Sequence, residues 1–306
     1  MPYQIDFQQP LGSERRRIAL ELIEGAAAAL QNESRSIHKR IHDFRVRTKK
    51  LRALARLFRP ADDDWFRREN RRFRDLAHQY SSVRDAESAI DTFRRLIDQF
   101  DAQINHKAFA SLFRDLLHHR QRRVELGASD ERLVELLSEL DAARTRVADW
   151  PDNGIDAAII TQGFTRTYQR GRRTMCRLRH NDDNETWHEW RKRVKHHRYH
   201  WEVLTNAWPA VVQVWCNELH RLTDYLGDDH DLTVLADLIR SDEFSHKPKK
   251  AKDRRSVDAL LGLIHQRSTE LRHDAAELGA KLYVDNASAA QQRLSGWLAI
   301  SGARTH

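Results

Sequence analysis

The residues in this chain best suited to chemistry lie around Ile37 to Phe58. Wound into a helix, the stretch places Arg35, His38, His42, Arg45, Lys49, Arg52 and Arg56 along one side, with no carboxylate among them. Guanidinium presents a fork of donors to phosphate oxygens, and ammonium adds a point charge. Imidazole adds a donor whose charge follows pH. Like charges at i, i+3 and i+4 cost a few tenths of a kcal/mol per pair. A strip kept despite that repulsion points to an anion. Beside it runs an apolar stripe of Ile41, Phe44, Thr48, Leu51, Leu54, Ala55 and Phe58, the expected core face.

The strip occurs twice. A second stretch begins at Trp187, and His42, Asp43, Phe44 and Arg45 lie 146 positions before His188, Glu189, Trp190 and Arg191. The same offset pairs Arg47 with Arg193, Lys49 with Lys195, Arg52 with Arg198 and Asp85 with Asp231. A pattern of His-acid-aromatic-Arg-x-Arg-x-Lys-x-x-Arg appearing twice reads as an internal duplication. Ten residues of helix are about 15 Å long, so each strip could meet several units of a linear anion.

The elements that must carry these strips read as helices. Gly (11) and Pro (6) are scarce, and β-branched residues nowhere alternate as in a strand. The spacing predicts helices near 13–31, 34–58, 63–80, 83–100, 105–126 and 129–149. In the second part it predicts 156–179, 185–205, 209–226, 230–242, 252–282 and 286–301. Trp150-Pro151-Asp152-Asn153-Gly154 is the clearest turn signal. A polar linker is expected over 244–250. The expected fold is all-α, a pair of four-helix bundles with additional helices, pseudo-two-fold related, over 1–152 and 153–306.

Composition narrows the function classes. With 306 residues, 40% hydrophobic and 32% charged, the chain can bury a real core. Its net charge of +8 favours polyanionic partners. Cys176 and Cys216 stand alone, so neither a disulfide framework nor a cysteine metal cluster is expected. The first residues lack the apolar core of a signal peptide, and no apolar run approaches a membrane span, so the cytoplasm is the expected location.

Other readings of single residues carry less. His38 and His42 have zinc spacing, but Lys39 stands where a zinc protease has Glu, and cations surround them, so no metal is expected. His118-His119, His196-His197 and His200 read as surface or core-edge residues. Asp85 and Asp231 read as helix caps or arginine partners, Arg47 and Arg193 as structural ion-pair partners. Trp187, Trp190, Trp201, Trp208 and Trp215 read as core anchors before stacking platforms. No Gly-rich phosphate loop or gathered carboxylates suit phosphoryl chemistry, so no catalytic residue is expected. Nucleic acid is the competing polyanion, although no helix-turn-helix, RNA-recognition or zinc-finger pattern is visible.

The two His-x-x-Arg-x-x-x-Lys-x-x-Arg helices, each followed by Arg84-Asp85 or His230-Asp231, resemble the conserved histidine α-helical domain (CHAD) family over nearly the whole chain. Gly163 to Arg173 is similar to the Tyr-x-x-x-Arg helix that opens that family's second half. The resemblance implies a non-catalytic domain binding inorganic polyphosphate in a basic channel between the bundles, without a cofactor. Granule targeting or organisation would follow from such binding. The residues it implies for the ligand are His42, Arg45, Lys49 and Arg52 with His188, Arg191, Lys195 and Arg198. His38 and Arg56 extend the first strip, and Tyr168 and Arg172 join from the next helix. His230 and Ser81 stand where the family more often has Asn and Gly. Gly25-Ala26 faces Gly171-Arg172 across the repeat, so unequal contributions from the halves are expected.

Overall fold

The computed structural model describes residues 3–78, 81–127, 130–151, 154–241, 244 and 251–302, with backbone alone at 81–84, 124–127, 130 and 251–253. It is all-α. The helices are α1 (Leu11–Gln31), α2 (Ile37–Leu57), α3 (Asp63–His78), α4 (Ser81–Gln99), α5 (Ala110–Gly127) and α6 (Asp130–Ala148). They continue as α7 (Ala157–Leu178), α8 (Asn184–Val203), α9 (Pro209–Arg240), α10 (Ala251–Leu282) and α11 (Ala287–Ile300). Short 3-10 turns precede α5 and α9. Among the described residues there is no strand, nor any helix long and apolar enough to cross a membrane.

Local chemistry sets the helix starts. The carboxylate of Asp62 accepts from the Trp65 amide at 2.8 Å, Asp156 from Ile159 at 3.0 Å, and Asp183 from Thr186 at 2.6 Å. Each such cap contributes about 1 kcal/mol. The starts of α1 and α7, and of α3 and α9, are separated by the same 146 positions that relate the strips. Gly154 turns the chain with φ of +73°, a conformation costly for other residues. Asp152, Asn153 and the 245–250 part of the expected linker lie outside the described residues.

One expected break is absent. Helices near 209–226 and 230–242 are a single helix, α9. Gly227 lowers helix propensity without forcing an end, and a Cβ there would touch nothing within 4 Å. His230-Asp231 therefore opens no helix, and Asp231 caps none. Its carboxylate lies 4.0 Å from Arg95, which also pairs with Asp228 at 2.7 Å.

Two compact units cut across the expected halves. The first comprises Met1–Gln79, Asp130–Thr223 and Leu278–His306. In it α1 packs on α2 and α6, α2 on α3, and α7 on α8 and α11, while α2 also meets α7 and α8. The whole stripe from Ile41 to Phe58 is buried there, as its spacing predicts.

The second unit comprises Tyr80–Ser129 and Asp224–Glu277. Ile90, Phe93, Leu112 and Leu116 of α4 and α5 share one core with Leu235, Leu260, Ile264 and Leu271 of α9 and α10. Two short helices from one half of the sequence thus bury their apolar faces on elements of the other, and this draws the unit boundary. Buried Asp229 accepts from Arg272 Nε at 2.9 Å and from the Ser268 hydroxyl. Arg272→Met is expected to lower urea-denaturation stability by about 3 kcal/mol, because a buried carboxylate loses its cation. A loss below about 1 kcal/mol would show that Ser268 alone satisfies it.

Candidate polyanion-binding site

The first strip is the polar side of α2. His42 is exposed, while His38, Arg45, Lys49, Arg52 and Arg56 are half-buried. Arg45 donates to the Ala77 carbonyl at 2.8 Å, at the C-terminal end of α3, where a cation is favoured. Arg52 Nε donates to Asn70 Oδ1 at 3.1 Å. Burial, then repulsion from Arg74, pulls the Arg52 guanidinium below its ordinary pKa. The strip is shorter than its helical wheel suggested, because Arg35 is paired with Asp43 at 2.6 Å.

The second strip is the matching side of α8. His188, Arg191, Lys195 and Arg198 are all half-buried. Burial, then the charges of Lys192 and Arg191, pushes the His188 imidazole down to about 4. His188 is therefore neutral at pH 7 without ligand. Arg198 is committed inside the protein. It pairs with Glu202 at 3.0 Å and donates to His220 Nδ1 at 2.8 Å and Thr223 Oγ1 at 3.1 Å. Arg193 pairs with Glu189, while Arg47 donates to the Asp43 carbonyl at 3.2 Å.

The two helices meet at their C-terminal halves. Lys50 pairs with Glu202 at 2.9 Å, His200 Nε2 donates to the Ala53 carbonyl at 2.9 Å, and Arg56 lies within repelling distance of His196. Numbers rise along α2 as they fall along α8, so the helices pass in opposite senses. His42 and His188 each stand eleven residues from the crossing, about 16 Å along their own helices, on opposite sides of it. The strips thus follow one another past the crossing of α2 and α8.

Tyr168 and Arg172 have other work. Tyr168 is buried among Phe164, His197 and Tyr283, and its hydroxyl donates to the Asp285 carbonyl at 2.9 Å. Arg172 Nε donates to the Tyr283 carbonyl at 3.2 Å. Both pin α7 to the α10–α11 junction. Gly171 permits this, since a Cβ there would stand 2.7 Å from the Tyr283 ring.

His197 and His200, read from sequence as surface or core-edge residues, are fully buried. Trp187, Trp190 and Trp201 are core residues, whereas Trp208 is half exposed. Asp85 is exposed on α4. Among the described residues no three His, Cys, Asp or Glu side chains gather as a metal site would require.

The profile of the CHAD domain matches residues 21–240, most of the chain and both strips. The chain belongs to the CHAD domain family. A crystal structure of the CHAD domain from the plant Ricinus communis is similar to it with a TM-score of 0.65 at 19% identity. That match covers 93% of this chain and 95% of the plant domain, and at such identity it speaks for the fold. Among curated proteins none matches. The CHAD match contains α2 and α8 whole, so both strips are part of the domain proper.

Proposed function

We propose that this CHAD domain binds inorganic polyphosphate, without catalysing its turnover, along the cationic sides of α2 and α8. The observation that carries the reading is one spacing, His-x-x-Arg-x-x-x-Lys, on two helices that cross within a single compact unit. Family membership supports it. His42, Arg45 and Lys49, with His188, Arg191 and Lys195, make the central contacts, flanked by His38 and Arg52. Arg198, held by Glu202, contributes less, and Tyr168 and Arg172 contribute through the fold. Binding of this kind would hold the protein at cytoplasmic polyphosphate deposits.

Calorimetric titration with long-chain polyphosphate tests the proposal. Arg45→Ala and Arg191→Ala are each expected to weaken binding by about 1.5–3 kcal/mol, the worth of a hydrogen bond to a charged group. Affinity should also fall steeply with salt, as for other polyphosphate-backbone polymers. Unchanged affinity in the double variant, with its fold intact, would remove the strips from the site. Duplex DNA is the competing ligand, and its displacement of polyphosphate at fixed salt would favour nucleic acid instead.

The sign of the pH response follows from His188. A bound phosphate raises the pKa of an imidazole that lies near 4 without ligand. Affinity should therefore strengthen as pH falls through the bound-state pKa and level off below about 4. The depressed starting value puts this gain on the acid side of neutrality. The His188→Gln variant should lose it.

A further inference from the structure

α3 and α6 are drawn together at one end and part from there. Trp65, in the first turn of α3, meets Trp150, just past the end of α6, edge to face at 4.9 Å. Arg15 of α1 lies over both rings, at 4.6 Å and 5.5 Å, and closes that end. From this point numbers rise along α3 as they fall along α6, and between the two helices lies a cleft of about 320 Å³. Its walls are Arg72, Phe73 and Leu76 of α3 with Ala142, Ala143 and Arg146 of α6. Asp75 and Glu139, both exposed, line it further from the tryptophans. No residue of the two cationic strips lines it. Ligand pockets run from about 300 to 1,000 Å³, so a cleft of this size suits a small molecule.

The closed end carries both signs of charge, and neither is fully used. Glu69 shares a face of α3 with Arg72, Phe73 and Leu76, one turn nearer Trp65, and is 3% exposed. Its Oε1 accepts from Arg72 at 2.6 Å, while its buried Oε2 has no hydrogen-bond partner among the described residues. The buried Nε of Arg146 has none either. Buried polar atoms left unpaired are costly, which favours a guest that brings a donor to one and an acceptor to the other. The matching place later in the chain is filled. Glu69 lies 146 positions before Trp215, the offset that relates the starts of α3 and α9. Trp215 stacks on Trp201 at 5.8 Å and packs under Arg293 of α11 at 5.7 Å, and α11 lies on α7 as α6 lies on α1. Where the later helices place an indole, the earlier ones place a carboxylate with an unused oxygen.

We infer that the cleft between α3 and α6 binds a basic α-amino acid. The guest's carboxylate pairs with Arg146, and its α-ammonium donates to Glu69 Oε2. Its methylenes lie on Leu76, Ala142 and Ala143. Its distal cation meets Glu139 and Asp75, the latter also touched by Arg74 at 2.8 Å. Six residues of helix separate Glu69 from Asp75, about 9 Å, a span suited to an extended lysine-like side chain. The site shares no residue with the strips and does not rest on the polyphosphate reading.

Titration of the full chain with L-lysine, read by calorimetry and by the thermal midpoint, tests the inference. Saturable binding with a raised midpoint is expected. L-Norleucine, which lacks the distal ammonium, and 1,5-diaminopentane, which lacks the carboxylate, should each bind about tenfold more weakly or worse. Arg146→Gln should weaken lysine binding by a similar factor. So should Ala142→Phe, which fills the cleft from an exposed position without touching the core. Arg45→Ala with Arg191→Ala should leave lysine affinity within about twofold. Absence of saturable lysine binding, equal affinity for lysine and norleucine, or unchanged lysine affinity in Ala142→Phe overturns the site. Diaminopentane binding as tightly as lysine would leave Arg146 without a role and overturn the amino-acid assignment. None of these results alters the outcome expected for long-chain binding to the strips.

Discussion

Alanine at position 163 is expected to cost about 3–5 kcal/mol of stability, a large effect for one methyl group. A Cβ on Gly163 would lie 1.8 Å from the Leu57 carbonyl oxygen and 2.7 Å from its carbon. Both groups are backbone, so no rotamer change relieves the clash. α7 would have to back away from the end of α2, loosening the packing of Phe164 on His197 and Trp201. Gly262→Ala is the internal control. That glycine also lies inside a helix, with nothing within 4 Å of the added carbon, and alanine there should stabilise by about 0.5–1 kcal/mol. Urea denaturation of both variants decides the matter. A Gly163→Ala protein within about 1 kcal/mol of wild type would mean that α2 and α7 do not approach this closely.

The second large effect is acid lability through His197 and His200. Burial holds both imidazoles down to about 3, against an ordinary value near 6.5. His200 uses its Nε2 proton on the Ala53 carbonyl, and its buried Nδ1 has no partner among the described residues. The Tyr283 hydroxyl, which burial keeps protonated, donates to His197 Nδ1 at 3.1 Å. A second proton on His200 would therefore arrive at Nδ1 without an acceptor, and one on His197 would require the Tyr283 hydroxyl to turn from donor to acceptor.

The folded pKa lies below the unfolded one, so the unfolded chain takes up protons first as pH falls. Stability is unaffected well above 6.5 and is lost progressively from there down to about 3. At about 1.4 kcal/mol per pKa unit, each histidine accounts for on the order of 2 kcal/mol between pH 6.5 and pH 4.5. Urea unfolding at pH 7.5 and pH 4.5 should differ by several kcal/mol. The His197→Gln variant, whatever its stability at neutral pH, should show a smaller difference. An equal pH difference in that variant and wild type would mean that His197 titrates normally.

The sequence alone determined much of this molecule. Helical spacing and scarce Gly and Pro settled the all-α class. Alternation around one turn identified the buried stripe of α2 residue by residue, and the spacing of cations identified the strip beside it. These are properties of a single helix about its own axis, and a linear chain of residue types records them in full. The motifs also pointed to the family to which the chain belongs.

What a neighbouring helix brings to that axis was decided only in three dimensions. Glu202 captures both Lys50 and Arg198, so one residue of the second strip is spent internally. Tyr168 shares the face of α7 that packs against Tyr283, a partner more than a hundred residues away. His197 and His200 became core residues because α8 packs against both α2 and α7. α9 runs through the expected break because Gly227 does not stop a helix, and Asp228 and Asp231 on it face Arg95 of α4. Pairings between residues distant in sequence depend on where two axes cross, and hydrophobic periodicity fixes the faces that meet without fixing that point.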